Sequence, residues 1–313
     1  MSGQAALAAL ATSGKAALAE ALTRVETGED EMEVVALLDA AHGAPRGTTL
    51  GLTGPPGVGK STLTGALIRL FRASGARVAV IAVDPSSARS GGAFLGDRTR
   101  IERDPADGDV FVRSMAARTR LGGVADLTYP AVVLMRALFD WVIVETVGVG
   151  QSETGIAEVA DQVLFCAQPG SGDAVQYMKA GVMEVPDLVV VTKGDMGALA
   201  ERAASDLSGA LSLQAGEAPP PVLVVSAETG QGLAPLAERL ALSAETARGD
   251  GSLMRRRAAQ DAAWLRSRLK ERFGTAGLTL AAGDLRGSGP PFHRQSAISR
   301  RLETAFQRLA SIP

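Results

Sequence analysis

The sequence predicts an α/β fold with a mostly parallel, doubly wound sheet, and three observations support that prediction. Short apolar runs rich in β-branched residues alternate with helical segments between residues 48 and 248. These runs are apolar throughout, as expected for parallel strands that helices cover on both faces. The chain of 313 residues is 46% hydrophobic but only 4% aromatic, and it contains 36 glycines. That composition suits aliphatic strands joined by tight turns.

Seven segments have the length and composition of buried strands. In chain order these predicted strands are Thr48–Thr53, Val78–Val83, Val110–Arg113, Trp141–Thr146, Gln162–Ala167, Leu188–Thr192 and Val222–Ser226. Helices are expected between most of them, including Ser61–Ala73, Val124–Phe139 and Ala198–Gln214. Strands that alternate with helices in this way favour right-handed crossovers and therefore a parallel sheet.

A helical extension is predicted before the α/β region. Leucines recur at helical spacing over residues 5–26, and a second helical stretch ends near His42. Glycine and proline residues then interrupt the pattern. We therefore assign residues 1–46 to an N-terminal helical extension and residues 47–250 to the α/β domain.

The character of the chain changes after residue 250. Residues 251–313 contain twelve Lys and Arg residues against four Asp and Glu residues. Two helices are expected there, at 252–273 and 293–311, joined by a Gly- and Pro-rich connector over 274–291. We interpret 251–313 as a C-terminal helical arm.

Composition excludes several classes of function. Lys and Arg number 32 against 34 Asp and Glu, so the net charge of −2 gives no general case for binding nucleic acid or a membrane. One cysteine, Cys166, excludes a disulfide framework or a thiolate zinc site, and we expect it to be buried and inert. Two histidines argue against a His-rich metal site or a Ser-His-Asp triad. The N-terminal segment lacks the plan of a signal peptide and no apolar run approaches roughly 18 residues, so we expect a cytoplasmic protein without a membrane span.

A phosphate-binding loop is the strongest motif in the sequence. The segment Gly54–Ser61 matches G-x-x-x-x-G-K-[ST] directly after a predicted strand and directly before a predicted helix. Glycines let backbone N–H groups converge on a polyphosphate, Lys60 reaches the β- and γ-phosphates, and the Ser61 hydroxyl coordinates Mg²⁺. The predicted nucleotide-binding residues of this loop are Gly54, Gly57, Val58, Gly59, Lys60, Ser61 and Thr62. The expected fold is that of a P-loop NTPase.

A second motif indicates the base. Thr192–Asp195 follows a predicted strand and resembles the guanine motif N-K-x-D. Asp195 can accept hydrogen bonds from guanine N1–H and N2–H₂, which adenine lacks, while the aliphatic stem of Lys193 lies against the base. A backbone N–H of Ser226 or Ala227, at the end of the next strand, is expected to meet guanine O6. Thr192 departs from Asn, and a hydroxyl replaces only part of what a carboxamide bonds, so affinity should suffer more than selectivity.

Three acidic residues are candidates for the metal. Glu145 ends the strand Trp141–Thr146, and Gly148 follows at the spacing of a γ-phosphate contact. Asp84 and Asp97 are further candidates, although either residue can also be read as a helix cap or turn residue. Mg²⁺ takes few charged ligands, so the three acids cannot all bind it directly at once. Gly148 and Gln151 belong to a glycine-rich stretch predicted to act as a switch that senses the γ-phosphate.

These motifs together are similar to those of the MeaB/ArgK-type GTPases, accessory proteins of adenosylcobalamin-dependent methylmalonyl-CoA mutase. The resemblance covers most of residues 14–250. The matching stretches are GKAALAEALTRVETG (14–28), GLTGPPGVGKSTL (51–63), VDPSS (83–87), GGAFLGDRTRI (91–101), LGGVA (121–125), VIVETVGVGQSE (142–153) and KAGVMEVPDLVVVTKGD (179–195).

The resemblance implies a GTPase that binds GTP, GDP and Mg²⁺, docks on the mutase, gates its cofactor loading and keeps damaged cofactor out. It implies that Asp84, Asp97 and Glu145 belong to the metal shell. Lys179 matches a third switch segment that senses the partner, and Lys60, Gln151 and Lys179 are the expected catalytic residues. Family members dimerise partly through C-terminal helices, so the C-terminal arm is the expected dimer contact.

Some residues depart from the family pattern. Thr192 and Gly194 stand where the family usually has Asn and Ala, and Ser114–Thr119 replaces a Pro/Ser-rich stretch. These departures leave open a related partner, such as a mutase that acts on ethylmalonyl- or isobutyryl-CoA.

Two other functions are considered. An ATP-dependent kinase or transport-associated ATPase would share the phosphate loop, but Asp195 weighs against adenine. A nucleic-acid-binding GTPase would use the run Arg255–Arg257, but without interleaved aromatic residues a solvated helix start is the better interpretation. His42 and His293 lie near loop boundaries and are expected to face solvent. The scarcity of Cys and His argues against the nickel-insertion GTPases, which share the architecture but need metal-binding Cys and His.

Overall fold

The fold is centred on a sheet whose seven strands, among the described residues, are all parallel. The strands are β1 (Thr48–Thr53), β2 (Val78–Pro85), β3 (Val110–Ala117), β4 (Trp141–Thr146), β5 (Gln162–Ala167), β6 (Leu188–Val191) and β7 (Val222–Val224), in the spatial order β3-β2-β4-β1-β5-β6-β7. This computed structural model describes residues 2–28, 31–85, 101, 104, 106–117, 125–146, 155–170, 186–213 and 219–310, with the backbone alone at 84–85, 116–117, 125–127 and 309–310.

Nine α-helices accompany the sheet in the described part of the chain. They are α1 (Gly3–Thr12), α2 (Lys15–Thr27), α3 (Met32–Gly43), α4 (Lys60–Ala73), α5 (Ala125–Leu138), α6 (Ala198–Ser212), α7 (Leu233–Gly249), α8 (Ser252–Leu280) and α9 (Pro291–Ala310). Short 3₁₀ turns occur at Ile156–Glu158, Gly194–Met196 and Asp284–Arg286.

Both faces of the sheet are buried, which confirms the predicted α/β class. Val142 and Val144 of β4 join one apolar cluster, to which the N-terminal helices, α5, α8 and α9 contribute. Ile143, which points to the opposite face, joins a second cluster with residues of α4 and α7. Successive residues of one strand therefore enter different cores, as a doubly wound sheet requires.

Four strands end at residues other than those predicted from the sequence. Strands β2 and β3 run beyond the predicted ends because they pair with each other along their whole length, from Val78 opposite Val110 to Pro85 opposite Ala117. Strand β6 ends one residue early because the backbone turns at Lys193, whose φ of 55° is left-handed. Strand β7 likewise ends at Val224 instead of the predicted Ser226.

The helical extensions also differ in detail from the prediction. The single N-terminal stretch 5–26 is two helices, because Ser13 adopts an extended backbone and ends α1 by donating its N–H to Leu10. The predicted connector 274–291 is partly helical. Helix α8 continues to Leu280 across a kink at Gly274, whose φ of 65° and ψ of −169° leave the helical region. Glycine tolerates that conformation, which interrupts the helix near its predicted end at residue 273, and a second helical stretch follows up to Leu280.

His42 corrects another expectation, whereas His293 is exposed as predicted. The His42 imidazole is partly buried, and its Nε2 lies 2.9 Å from Asp261 Oδ2 of α8. The Tyr129 hydroxyl of α5 donates to the other oxygen of the same carboxylate. A single acid of the C-terminal arm therefore joins α3, α5 and α8.

Two of the three residues in the run Arg255–Arg257 are ion-paired, which corrects the interpretation of a solvated helix start. Arg257 bonds both oxygens of Asp161, at 2.9 and 2.6 Å. Arg256 bonds both oxygens of Asp187, each at 2.8 Å. Asp161 and Asp187 directly precede β5 and β6, so these pairs hold the start of α8 against the amino ends of two strands.

In the described part of the chain, no helix combines the length and the apolar character that crossing a membrane needs.

The Arg257–Asp161 pair should contribute more to the free energy of unfolding than the Arg256–Asp187 pair. The Asp161 side chain is only 1% exposed and also accepts the N–H of Thr49 at 2.8 Å. Replacing Arg257 by Met leaves that charge buried and unpaired, so we expect the free energy of unfolding to fall by about 3–5 kcal/mol. Arg256→Gln, at a pair 40% and 31% exposed, is the matched control and should cost less than about 1 kcal/mol. Chemical denaturation measures both, and equal losses would contradict this ranking.

Candidate functional site

The loop after β1 has the shape of a phosphate cradle. Gly54, Gly57 and Gly59 have φ values of 137°, 77° and 98°, which side chains rarely permit. At Gly54 space is also lacking, since an added Cβ would lie 2.2 Å from the carbonyl oxygen of Cys166 on β5. The loop thus lies directly against the sheet, and helix α4 begins at Lys60 with its N-terminus turned to the same loop.

The Lys60 ammonium is buried and bonded to the loop itself. Its Nζ donates to the carbonyl oxygens of Gly54 at 2.7 Å and Pro55 at 2.8 Å, and the residue is only 6% exposed. Carbonyl dipoles therefore hold the positive charge above the loop. An ammonium in this position has the reach and the charge to bind phosphate oxygens held by the same loop.

Glu145 lies at the end of β4 and accepts two hydroxyl hydrogen bonds from the first turns of α4. Ser61 Oγ donates to one carboxylate oxygen at 2.5 Å, and Thr64 Oγ1 donates to the other at 2.8 Å. The sequence prediction missed Thr64, although its position three residues after Ser61 places both hydroxyls on one helix face. Hydroxyl and carboxylate oxygens are the ligands that Mg²⁺ prefers, so Ser61 and Glu145 fit that ion.

A cavity of about 420 Å³ opens beside this loop. Its walls include Gly57, Lys60, Ser61 and Glu145, together with Ala82 and Val83 near the end of β2. Asp84 follows these residues within β2, but its side chain lies outside the described residues. The predicted site residues Asp97, Gly148, Gln151 and Lys179 also lie outside them.

The loop after β6 binds to both neighbouring parts of the site. The Thr192 hydroxyl lies 2.6 Å from the carbonyl oxygen of Val58 and 2.9 Å from that of Ala167. Lys193 Nζ donates to Gln168 Oε1 at 2.5 Å. Thr192, which stands where the family usually has Asn, therefore joins the base motif to the phosphate loop. No local sequence signal identified Val58 or Gln168 as the partners.

Ser226 holds the carboxylate of Asp195, the residue predicted to select guanine. Its buried hydroxyl donates to Asp195 Oδ1 at 2.7 Å, and this bond lowers the pKa of Asp195 below its ordinary value. The N–H of Ser226 is itself bonded to the carbonyl oxygen of Gln231 at 2.9 Å. Of the two backbone N–H groups predicted to meet guanine O6, that of Ser226 is therefore already used within the fold.

A second cavity, of about 260 Å³, lies between these two loops. Asp195, Ser226 and Ala227 line it, and it shares Gly59 and Thr62 with the cavity beside Lys60. The two cavities adjoin along the start of α4, which leaves room for a polyphosphate at one end and a base at the other. A further cavity of about 510 Å³ lies at the amino ends of β5 and β6, away from both loops.

Cys166 lies under the phosphate loop but has no chemical role there. Its side chain is fully buried in the apolar cluster below β1, and burial raises its pKa to about 12. It is therefore an uncharged thiol at neutral pH, as expected.

The family model described as methylmalonyl-CoA mutase-associated GTPase MeaB matches residues 18–278. The chain belongs to this family. It is therefore a P-loop GTPase with guanine nucleotides as its ligands. The predicted family is confirmed, and it favours the guanine assignment over an ATP-dependent kinase.

Related proteins support the membership. A protein of Caulobacter vibrioides with the word GTPase in its name is 42% identical over 85% of this chain and 86% of its own. The GTPase ArgK of Escherichia coli is 36% identical over 82% of this chain and 80% of its own. The methylmalonic aciduria type A homolog of Mus musculus, a mitochondrial protein, is 34% identical over 82% of this chain and 66% of its own.

A solved structure has the same overall architecture. The crystal structure of a LAO/AO transport system kinase superposes with a TM-score of 0.68 at 28% identity, and it covers 95% of this chain and 96% of its own. HypB of Helicobacter pylori, with a TM-score of 0.50 at 18% identity over 69% of this chain and 94% of its own, shares the fold alone.

Removing the Ser226 hydroxyl should raise the pKa of Asp195. The hydrogen bond favours the charged carboxylate, so in Ser226→Ala the carboxylate should take up a proton at a higher pH than in the natural protein. Guanine affinity, which needs the charged form, should then also begin to fall at a higher pH. Carbon-13 NMR titration of the carboxyl group measures the change. Ser212→Ala, an exposed serine on α6, is the control and should leave the titration curve unchanged.

Proposed function

We propose that this protein is a Mg²⁺-dependent GTPase that serves an adenosylcobalamin-dependent acyl-CoA mutase, either methylmalonyl-CoA mutase or a close relative. In this role it gates the loading of cofactor and protects the mutase by hydrolysing GTP. The assignment of a guanine nucleotide depends on one observation. The cavity lined by Asp195 shares Gly59 and Thr62 with the cavity beside the phosphate loop.

The phosphates bind to the backbone N–H groups between Gly54 and Thr62. Lys60 exchanges its bonds to two loop carbonyls for bonds to β- and γ-phosphate oxygens, since both are oxygen acceptors of the same ammonium. The N-terminus of α4 adds a favourable potential for the anion. This arrangement is supported by the three left-handed glycines and by the burial of Lys60.

Guanine is selected by hydrogen bonds that adenine cannot make. Asp195 accepts from N1–H and N2–H₂, and Ser226 keeps the carboxylate charged and oriented for that purpose. The Ala227 N–H donates to O6, and the Lys193 stem covers the base. With adenine the carboxylate would lose water without gaining a donor, which carries the full desolvation cost.

Ser61 and Glu145 are the residues that would hold Mg²⁺, Ser61 directly and Glu145 through water or through the Ser61 hydroxyl. When bound, the ion neutralises charge that develops on the phosphates. The family resemblance assigns Asp84 and Asp97 to the metal shell as well, in other steps of the hydrolysis cycle. Gly148 and Gln151 sense the γ-phosphate, and hydrolysis depends on their positioning and on the charge of Lys60.

The partner assignment is supported by the family description and by the name of the mouse relative. Lys179 belongs to the segment that senses the mutase, and residues 251–313 are the dimer arm of a homodimer. Residues 1–46 and 47–250 are the N-terminal extension and the GTPase domain. Intrinsic hydrolysis is slow. The mutase therefore controls the rate by raising it.

Asp195→Asn should exchange guanine for xanthine. The carboxamide oxygen can still accept from N1–H of either base, but its NH₂ group donates to the 2-oxygen of xanthine and opposes the 2-amino group of guanine. We expect roughly 10- to 100-fold weaker GTP binding and a gain of xanthosine triphosphate binding. Calorimetry with GTP, ATP and xanthosine triphosphate in Mg²⁺ measures both. Glu201→Gln, an exposed acid on α6, is the control for lost charge. ATP binding as tight as GTP binding in the natural protein would refute the guanine assignment.

The apo-mutase of the native host should raise GTP turnover by roughly tenfold, equivalent to about 1.4 kcal/mol of activation free energy. Phosphate release with and without each adenosylcobalamin-dependent mutase of that host measures the effect. Copurification of the two proteins is the accompanying binding test. If every such mutase fails to bind or to stimulate, the chaperone role is refuted while the GTPase assignment stands.

A further inference from the structure

Helix α8 contacts a segment, residues 155–160, that follows the predicted switch residues Gly148 and Gln151 in the chain. The 3₁₀ turn Ile156–Glu158 comes between residues 147–154 and strand β5. Ile156 is fully buried against β1, where an added Cβ on Gly51 would lie 2.5 Å from its Cγ1. The turn is therefore packed beneath the strand that enters the phosphate loop.

Gln260 of α8 holds this segment by two hydrogen bonds. Its Nε2 donates to the carbonyl oxygen of Ala157 at 3.0 Å and to that of Ala160 at 2.8 Å. The residue is only 4% exposed. Both donors of the amide are thus used on a short stretch of backbone that runs from the middle of the 3₁₀ turn to Ala160, two residues after its end.

The oxygen of the same amide indicates that Gln260 does more than fill space, because burying it costs free energy. Its Oε1 is buried without a hydrogen-bond partner among the described residues. A buried acceptor without a partner is unfavourable, and an apolar side chain of similar length would avoid that penalty. The orientation of the amide follows from the contacts, since the opposite orientation would turn Oε1 toward two carbonyl oxygens.

Helix α8 does not need Gln260 to stay in place. Arg256 and Arg257, one turn earlier, already join the helix to Asp187 and Asp161. The same arginines hold Asp161, which directly follows the segment, and Arg256 also donates to the Asp161 carbonyl oxygen at 2.6 Å. Gln260 adds the bonds within the segment, at Ala157 and Ala160, so its loss should loosen that stretch more than the helix.

We propose that Gln260 is a positioning residue through which helix α8 fixes residues 155–160 and thereby couples the C-terminal arm to GTP hydrolysis. This inference rests on the proposed function, in which Gly148 and Gln151 meet the γ-phosphate. Glu145, on the strand before these residues, is held by Ser61 and Thr64 of α4. The segment after them is held by Gln260. Hydrolysis therefore depends on α8, whereas nucleotide binding depends on the phosphate loop and Asp195.

The test separates turnover from binding. Gln260→Met keeps the length of the side chain and removes both donors, and Gln260→Asn keeps the amide on a shorter stem that cannot reach both carbonyls. For each variant kcat for GTP is measured per mole of bound nucleotide, and the Kd of a fluorescent GDP analogue is measured separately. We expect kcat to fall about tenfold with Kd unchanged within about twofold. Amide hydrogen exchange over residues 155–161 should become faster.

Leu265→Ala is the control for a merely structural effect. Leu265 is a buried residue of α8 that belongs to the same apolar core as Ile156, so its truncation lowers the unfolding temperature while keeping the Gln260 side chain and both of its donors. It should leave kcat per bound nucleotide unchanged. The inference is overturned if a folded Gln260 variant keeps the natural kcat, or if Leu265→Ala loses as much activity. If Gln260→Met does not fold, Gln260→Asn decides. Absence of hydrolysis in the natural protein would instead refute the proposed function.

Discussion

The register of β1 between β4 and β5 is the constraint on which the site depends. Leu52 pairs with Glu145 on one side and with Leu164 on the other. The phosphate loop therefore leaves the sheet beside an acidic strand end, and Gly54 passes directly over the backbone of Cys166. A shift by one residue would turn Glu145 to the opposite face and would force the loop into β5. The parallel pairing of β1 and β4 thus brings Glu145 beside Ser61, the two residues that fit Mg²⁺.

The two ends of the sheet are stabilised by different interactions. At the carboxyl ends, hydroxyl and carbonyl groups hold Lys60, Glu145 and Asp195 in a partly open site. At the amino ends, Arg256 and Arg257 of α8 pair with the acids before β5 and β6. The charged groups at the carboxyl ends line the two adjoining cavities, whereas those at the amino ends form ion pairs within the fold.

Local signals in the sequence were sufficient for the strands and for the phosphate loop. Pattern and spacing assigned Gly54 to Ser61 and Asp195 because each residue type acts within a few residues of its motif. Partners distant in the chain could not be assigned in this way. The bonds of Arg257 to Asp161, Thr192 to Val58 and Ser226 to Asp195 arise only when the sheet assembles. The helical stretch beyond Gly274 was missed because Gly274 does interrupt the helix, and the Gly- and Pro-rich sequence after it has the composition of a connector.

The hydroxyl of Thr192 has a single proton, but two carbonyl oxygens lie within its reach. It can serve Val58 or Ala167 fully only by weakening its bond to the other. A carboxamide, with two N–H groups, would tie the base loop to both at once. In this chain one hydroxyl proton is consequently shared between the phosphate loop at Val58 and the end of β5 at Ala167, so two parts of the nucleotide site compete for a single donor.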